Sequence, residues 1–122
     1  LLGTCSESIE AHFLLGKLAV EADGDVALGR GHFGFGYQLG IKALRRGGMP
    51  KPLPALHPAN RFFFDCGRGS AWCLNELDKP HMALEHLLEL DPSDPLGLAS
   101  WADELRSGGK PIVELGQLWR GT

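Results

Sequence analysis

Apolar residues recur every three or four positions along most of this chain, which is the spacing of amphipathic helices. The first run is Ile9, Phe13, Gly16 and Val20. The runs, separated by glycine and proline, predict helices over 5–22, 26–46, 59–77, 80–90, 95–107 and 111–119. No segment alternates polar and apolar residues for long enough to indicate a strand. The pattern therefore predicts an all-α fold of about six helices.

Short turns between neighbouring helices predict antiparallel hairpins. We expect residues 1–122 to form a single domain, a length that suits one core. Its predicted parts are a first hairpin over 5–46, a proline-rich loop over 47–58, a second hairpin over 59–91, and an incomplete third hairpin or cap over 94–119. Met49, Leu53 and Leu56 in the loop are expected to pack on the helices.

The second predicted helix is rich in glycine, and residues 29–34 read GRGHFG, a literal GxGxxG. Loops that cradle phosphate with this motif follow a strand, whereas here a helical pattern precedes the glycines. Two interpretations remain: a nucleotide-binding loop, or glycines on a buried stripe that lets two helices approach closely. The helical spacing favours the second.

Composition removes several function classes. The net charge is −3 and the 12 Lys and Arg residues are scattered, so we expect no nucleic-acid partner. No apolar run approaches the roughly 18 residues of a membrane span, and Leu1 and Leu2 do not begin a secretory leader. Neither a metal nor a cofactor is predicted. Cys66 and Cys73 fall on one apolar helix face, too far apart to form a disulfide. We therefore expect free buried thiols and, because free thiols are typical of reducing compartments, a cytoplasmic location. We expect no catalysis, because an apolar environment keeps a thiol from forming the reactive thiolate.

Residues 71–92 resemble a tetratricopeptide repeat. The residues that carry the resemblance are Ala71 and Leu74 in the first helix, Asp78 in the turn, Ala83 in the second helix, and the ending LELDP at 88–92. Residues 9–36 resemble a diverged repeat, through Leu15-Gly16, Gly24-Asp25, and Gly29, Phe33 and Gly36. The resemblance implies a short right-handed superhelix of stacked hairpins that binds a protein or peptide on its concave side.

A polar stripe on the third helix is the candidate partner-binding site. Its members are Arg61, Asp65, Arg68, Trp72 and Asn75. In a repeat stack the first helix of each hairpin lines the groove, so the groove would be formed by helices one, three and five. Two guanidinium groups and an amide there suit a carboxylate or a peptide backbone, with Trp72 as an apolar anchor. The alternative is a solvated face on which Asp65 pairs locally with Arg61 and Arg68.

Three functions are therefore open from sequence. The first is a protein-binding or peptide-binding scaffold without catalysis. The second is a structural module that forms a homodimer through the end carrying Trp101 and Trp119. The third is a nucleotide-binding enzyme that uses residues 29–34.

Overall fold

The computed structural model describes residues 6–48, 53–77, 79 and 82–106, with the side chains of 6 and 104–106 excepted. These residues form α1 (Ser6–Asp23), α2 (Val26–Arg46), α3 (Pro58–Glu76), α4 (Ala83–Leu90) and α5 (Leu98–Arg106). No strand occurs in this part of the chain, so the all-α prediction is confirmed. The predicted helix over 111–119, and with it the end of the third hairpin, lies outside the described residues.

The first hairpin forms as its sequence predicts. Gly24 takes the left-handed conformation, with φ of 65°, which a residue with a side chain rarely adopts. Asp25 then caps α2, because its Oδ1 accepts the Leu28 amide hydrogen at 3.0 Å. The next 21 residues are helical without a break. The GxGxxG segment therefore lies inside a helix.

The core lies where α1, α2 and α3 pack on one another, while α3 also contacts α4 and α4 contacts α5. Phe33 of α2 is fully buried between two other helices. A methyl group at Gly16 of α1 or at Gly69 of α3 would come within 2.8 Å of its ring. The ring therefore occupies space that glycine leaves open on both sides.

Three glycines of α2 form the predicted buried stripe. They are Gly29, Gly36 and Gly40, and all three are buried. A methyl group at Gly36 would meet Cys66 Sγ at 2.6 Å, and one at Gly40 would overlap the Phe63 ring. Close approach of the helices thus requires glycine here, as the sequence indicated.

The predicted starts of α4 and α5 are wrong by three residues each. α4 begins at Ala83, and Met82 is its N-cap. Pro95 belongs to a turn that ends at Gly97, whose φ is 70°. The Asp94 carboxylate reaches past that turn and accepts the amide hydrogens of Leu98 and Ala99 at 2.7 and 3.1 Å. Asp94 therefore does start the helix, but from four residues away.

The described end of the proline-rich loop is tied to the end of α4. Asp91 Oδ2 accepts the Ala55 amide hydrogen at 2.8 Å, and the Leu53 amide donates to the Leu90 carbonyl at 2.6 Å. Leu53 is buried as expected, but Leu56 is exposed, so its predicted packing is wrong. Met49 lies outside the described residues. These contacts fix the position of α4 relative to α3.

Candidate functional site

The structure does not place the polar stripe of α3 on an exposed surface. Asp65 and Arg68 are each only 5% exposed, and Arg61, Trp72 and Asn75 are half-buried. Trp72 packs against the core. Much of the stripe is buried because α1, α2 and α4 all pack on α3.

Asp65 and Arg68 form the local pair that the sequence suggested, but inside the protein. Arg68 Nη1 donates to Asp65 Oδ1 at 3.2 Å. Burial raises the pKa of the Asp65 carboxyl more than the neighbouring Arg68 and Arg61 lower it. Removing one member would leave the other charge buried, which is strongly destabilising. Loss of partner binding in an Arg68 variant would therefore not identify a binding site.

The nucleotide-loop interpretation of residues 29–34 does not fit the structure. The segment is part of the continuous helix α2, so its backbone amides face along the helix and do not converge on a phosphate. Gly29 is buried, and a methyl group there would overlap Val20 Cγ2. Gly31 and Gly34, by contrast, have no atom within 4 Å of the position a Cβ would take. Packing therefore explains Gly29 but not the other two glycines.

These two open glycines line a groove between α2 and α4, which we call the α2/α4 groove. It has a volume of about 690 Å³. Its α2 side is formed by Arg30, Gly31, Gly34, Phe35, Tyr37, Gln38 and Lys42, its floor by Ser70 and Leu74 of α3, and its α4 side by Met82, Ala83 and His86. The missing side chains at positions 31 and 34 keep the groove open.

The α2/α4 groove combines apolar surface with positive charge. Phe35 is 55% exposed and Met82 is 59% exposed, although Phe and Met side chains are more often buried. Arg30, Lys42 and His86 are the ionisable side chains that accompany them apart from Tyr37, and none of the described lining residues is acidic. The groove is therefore locally basic in a chain whose net charge is −3.

Tyr37 forms part of the groove lining and of the core at once. Its ring stacks on Phe63, with centroids 5.2 Å apart. Burial raises its pKa to about 12, so the hydroxyl keeps its proton. Among the described residues no group accepts a hydrogen bond from it. The hydroxyl is consequently a buried donor without a described acceptor.

Two histidines from different helices meet near the groove. His12 Nδ1 of α1 lies 3.3 Å from His32 Nδ1 of α2, and both side chains are half-buried. The His12 ring also packs on Phe35, with centroids 4.5 Å apart. Burial and the neighbouring His32 lower the pKa of His12.

The outer face of α1 is a second exposed apolar surface, the α1 leucine face. Leu14, Leu15 and Leu18 are 50%, 45% and 58% exposed. A shallow depression of about 350 Å³ lies on this face, and Lys17 and Glu21 are among the residues that line it. Exposed apolar residues on a protein surface are usually scattered singly, whereas these three leucines are exposed on one helix.

The thiols are free and buried, as predicted for Cys66 and Cys73. Cys66 Sγ donates to the Ile9 carbonyl at 3.7 Å. Burial raises the pKa of both thiols, that of Cys73 to about 12. Neither is placed as a nucleophile, because the reactive form is the thiolate. The described residues also contain no group of three or more His, Cys, Asp or Glu side chains able to hold a metal ion.

Sequence reasoning missed both the groove and the histidine pair. A signal for the groove was present: Gly31, Phe35, Gln38 and Lys42 recur at helical spacing on the face opposite Gly29, Gly36 and Gly40. The histidine pair had no such signal, because its 20-residue separation depends on the register of the hairpin.

Comparison of the chain with protein-family models, with curated proteins and with solved structures finds no match. Within the described residues, no helix has both the length and the apolar character required to cross a bilayer. The function must therefore be argued from the surfaces described above.

Proposed function

We propose that this protein is a binding module whose α2/α4 groove holds an acidic amphipathic segment of a partner protein. The observation that carries the proposal is the lining of the groove, which pairs exposed Phe35 and Met82 with the cations Arg30 and Lys42. Exposed aromatic and Met side chains rimmed by charge are typical of protein-binding surfaces. This site replaces the α3 stripe, and catalysis plays no part in it.

The chemistry of the lining determines what fits. Apolar side chains of a partner would cover Phe35 and Met82, which supply the favourable burial. Carboxylates that flank the apolar side of the same segment would meet Arg30 and Lys42 in the same groove, which adds charge complementarity and speeds association. An amphipathic segment lying in a groove is an established mode of peptide recognition.

The test begins with selection of binders from a random peptide display library on the purified protein. We expect the enriched peptides to combine Asp or Glu with Leu, Phe or Met. Binding of a synthetic copy, followed by fluorescence anisotropy, should weaken at least about tenfold in Phe35→Ser and in Lys42→Glu, as for hot-spot residues. It should also weaken as salt rises, because surface charges are screened.

Matched controls come from α1, whose residues do not line the groove. Leu14→Ser removes a similarly exposed apolar side chain, and Lys17→Glu makes the same charge change, both on α1. Peptide affinity should be unchanged in both controls. Peptides without acidic residues, or equal affinity in groove and control variants, would refute the proposal.

The hairpin arrangement supports a tetratricopeptide-like stack, which we retain as a proposal together with a cytoplasmic location. α1 and α2 form a hairpin, and α1 also packs on the next first helix, α3. In a right-handed superhelix, the first helix of each hairpin would pack in the same way on the first helix of the next. The groove of this protein, however, lies between the second helices α2 and α4, and not along helices one, three and five as expected.

The α1 leucine face supports a second candidate, self-association. We propose a homodimer in which this face meets its copy, so that Lys17 of one protomer lies near Glu21 of the other. The end that carries Trp101 is a poorer candidate, because Trp101 is buried, and Trp119 lies outside the described residues. Sedimentation velocity should show a dimer that Leu18→Lys converts to a monomer. A monomeric wild-type protein at high concentration would exclude this second candidate.

A further inference from the structure

We propose that His12 and His32 form a two-imidazole site for a divalent transition-metal ion that cross-links α1 to α2. The two Nδ1 atoms lie 3.3 Å apart on neighbouring helices. A tetrahedral ion with metal–nitrogen bonds of about 2.0–2.1 Å holds two ligand nitrogens about 3.3–3.4 Å apart. The pair is thus already at the separation that one ion requires.

Without a metal ion, the two rings can share a hydrogen bond. Its length of 3.3 Å is slightly above the usual range of about 2.7–3.2 Å for N–H to oxygen. Such a bond also requires that one ring donate from Nδ1 while the other accepts. With a metal ion between them, both rings use the same neutral form, with the proton on Nε2 and the lone pair on Nδ1.

The surroundings indicate the class of ion. Imidazole ligands select Zn²⁺, Cu²⁺ and Ni²⁺ over Mg²⁺ and Ca²⁺. The 3.3 Å separation fits tetrahedral Zn²⁺ as it stands, whereas Cu²⁺ binds imidazole more tightly but prefers a square-planar arrangement, which would draw the two nitrogens to about 2.8 Å. No third His, Cys, Asp or Glu among the described residues joins the pair, so water or an external ligand would complete the coordination. The half-buried rings leave a path for both.

The site should couple metal binding to stability, because the ion joins two helices. Thermal unfolding of the full chain is measured with excess CuCl₂ or ZnCl₂, with MgCl₂, and with EDTA. We expect Tm to rise by about 5 °C or more with Zn²⁺ and with Cu²⁺, and not to change with Mg²⁺.

The variants His12→Gln, His32→Gln and the double variant decide whether the two rings act together. Either single change should reduce Cu²⁺ affinity, measured by calorimetry, by at least about tenfold, a loss found even when a partner outside the ligand shell is removed. The double variant should lose little more than either single one, as expected for one shared ion.

Folding of each variant is checked by circular dichroism in EDTA, and the two single variants serve as alternatives if one unfolds. Electron paramagnetic resonance of the Cu²⁺ complex should show two coordinated nitrogens in wild type and fewer in each single variant. A wild-type Tm unaffected by Cu²⁺ and Zn²⁺, or equally raised in the double variant, would overturn the proposal. The groove binding proposed above depends on neither result.

Discussion

The two sides of α2 use the same residue type for opposite purposes. On the buried side, Gly29, Gly36 and Gly40 allow α1 and α3 to pack so closely that a methyl group would collide with a neighbour. On the groove side, Gly31 and Gly34 face open space. Glycine in an exposed helix position costs stability relative to alanine. The open glycines therefore lower stability without improving packing, which suggests that the space they leave is used.

The largest difference between the two sides should appear in two phenylalanines that are two residues apart. Phe33 is fully buried between Gly16 and Gly69, while Phe35 lies on the groove. Phe33→Ala should lower the free energy of unfolding by about 3–5 kcal/mol, because it leaves a cavity in the core. Phe35→Ala should change it by less than about 1 kcal/mol.

Urea unfolding of both variants measures this contrast, with the slope of the transition as a check on two-state behaviour. Similar losses in the two variants would show that the two sides of α2 do not differ as described.

The glycines provide the next contrast. Gly40→Ala should lower the free energy of unfolding by about 1–3 kcal/mol, because the new methyl group overlaps the Phe63 ring. Gly34→Ala should raise it by about 0.5–1 kcal/mol, since alanine favours the helix and meets nothing. A stabilised Gly40→Ala would mean that α2 and α3 can separate without cost.

The α4 wall of the groove is held in a different way from the closely packed side of α2. The α4 wall of the groove depends on polar contacts of Asp91, whose carboxylate accepts hydrogen bonds from Ser93 and from the Ala55 amide. These bonds lower the pKa of Asp91. The resulting stability is present above the carboxyl's unfolded pKa of about 3.9, and is lost as pH falls through the lower folded value.

Asp91→Asn should accordingly cost about 1–2 kcal/mol at pH 7, where one ionised acceptor is lost. The difference from wild type should shrink as pH falls below about 4. Unfolding measured between pH 2 and pH 7 (values chosen to bracket the unfolded pKa) tests the direction. A difference that grows on acidification would contradict the role given to the Asp91 carboxylate.

The sequence predicted the three long helices well, but it did not predict that Asp65 and Arg68 of the polar stripe are buried. α1, α2 and α3 match their predicted ranges to within one residue, because long apolar periodicity and local caps such as Asp25 agree there. The starts of α4 and α5 were predicted three residues too early, because proline and aspartate occur at more than one position around the first turn of a helix. In α5 the turn that ends at Gly97 makes Leu98 the first helical residue.

The burial of the stripe could not be predicted, because whether a polar helix face is buried depends on the whole fold. The stripe with Asp65 and Arg68 has the composition of a solvated helix face, and only the packing of three other helices around α3 makes it internal. The open glycines were assigned to helix contact together with the buried ones. Local spacing alone does not separate Gly31 from Gly29 until the partners of each face are known.

A large side chain at Gly34 gives the sharpest test of the proposal that the α2/α4 groove binds an acidic peptide. The Gly34→Leu variant places a large side chain where the structure has none within 4 Å of the Cβ position, and its unfolding free energy and its affinity for the selected acidic peptide are measured together. The account predicts unchanged or higher stability with loss of peptide binding. A stable variant that binds the peptide as tightly as wild type would contradict it.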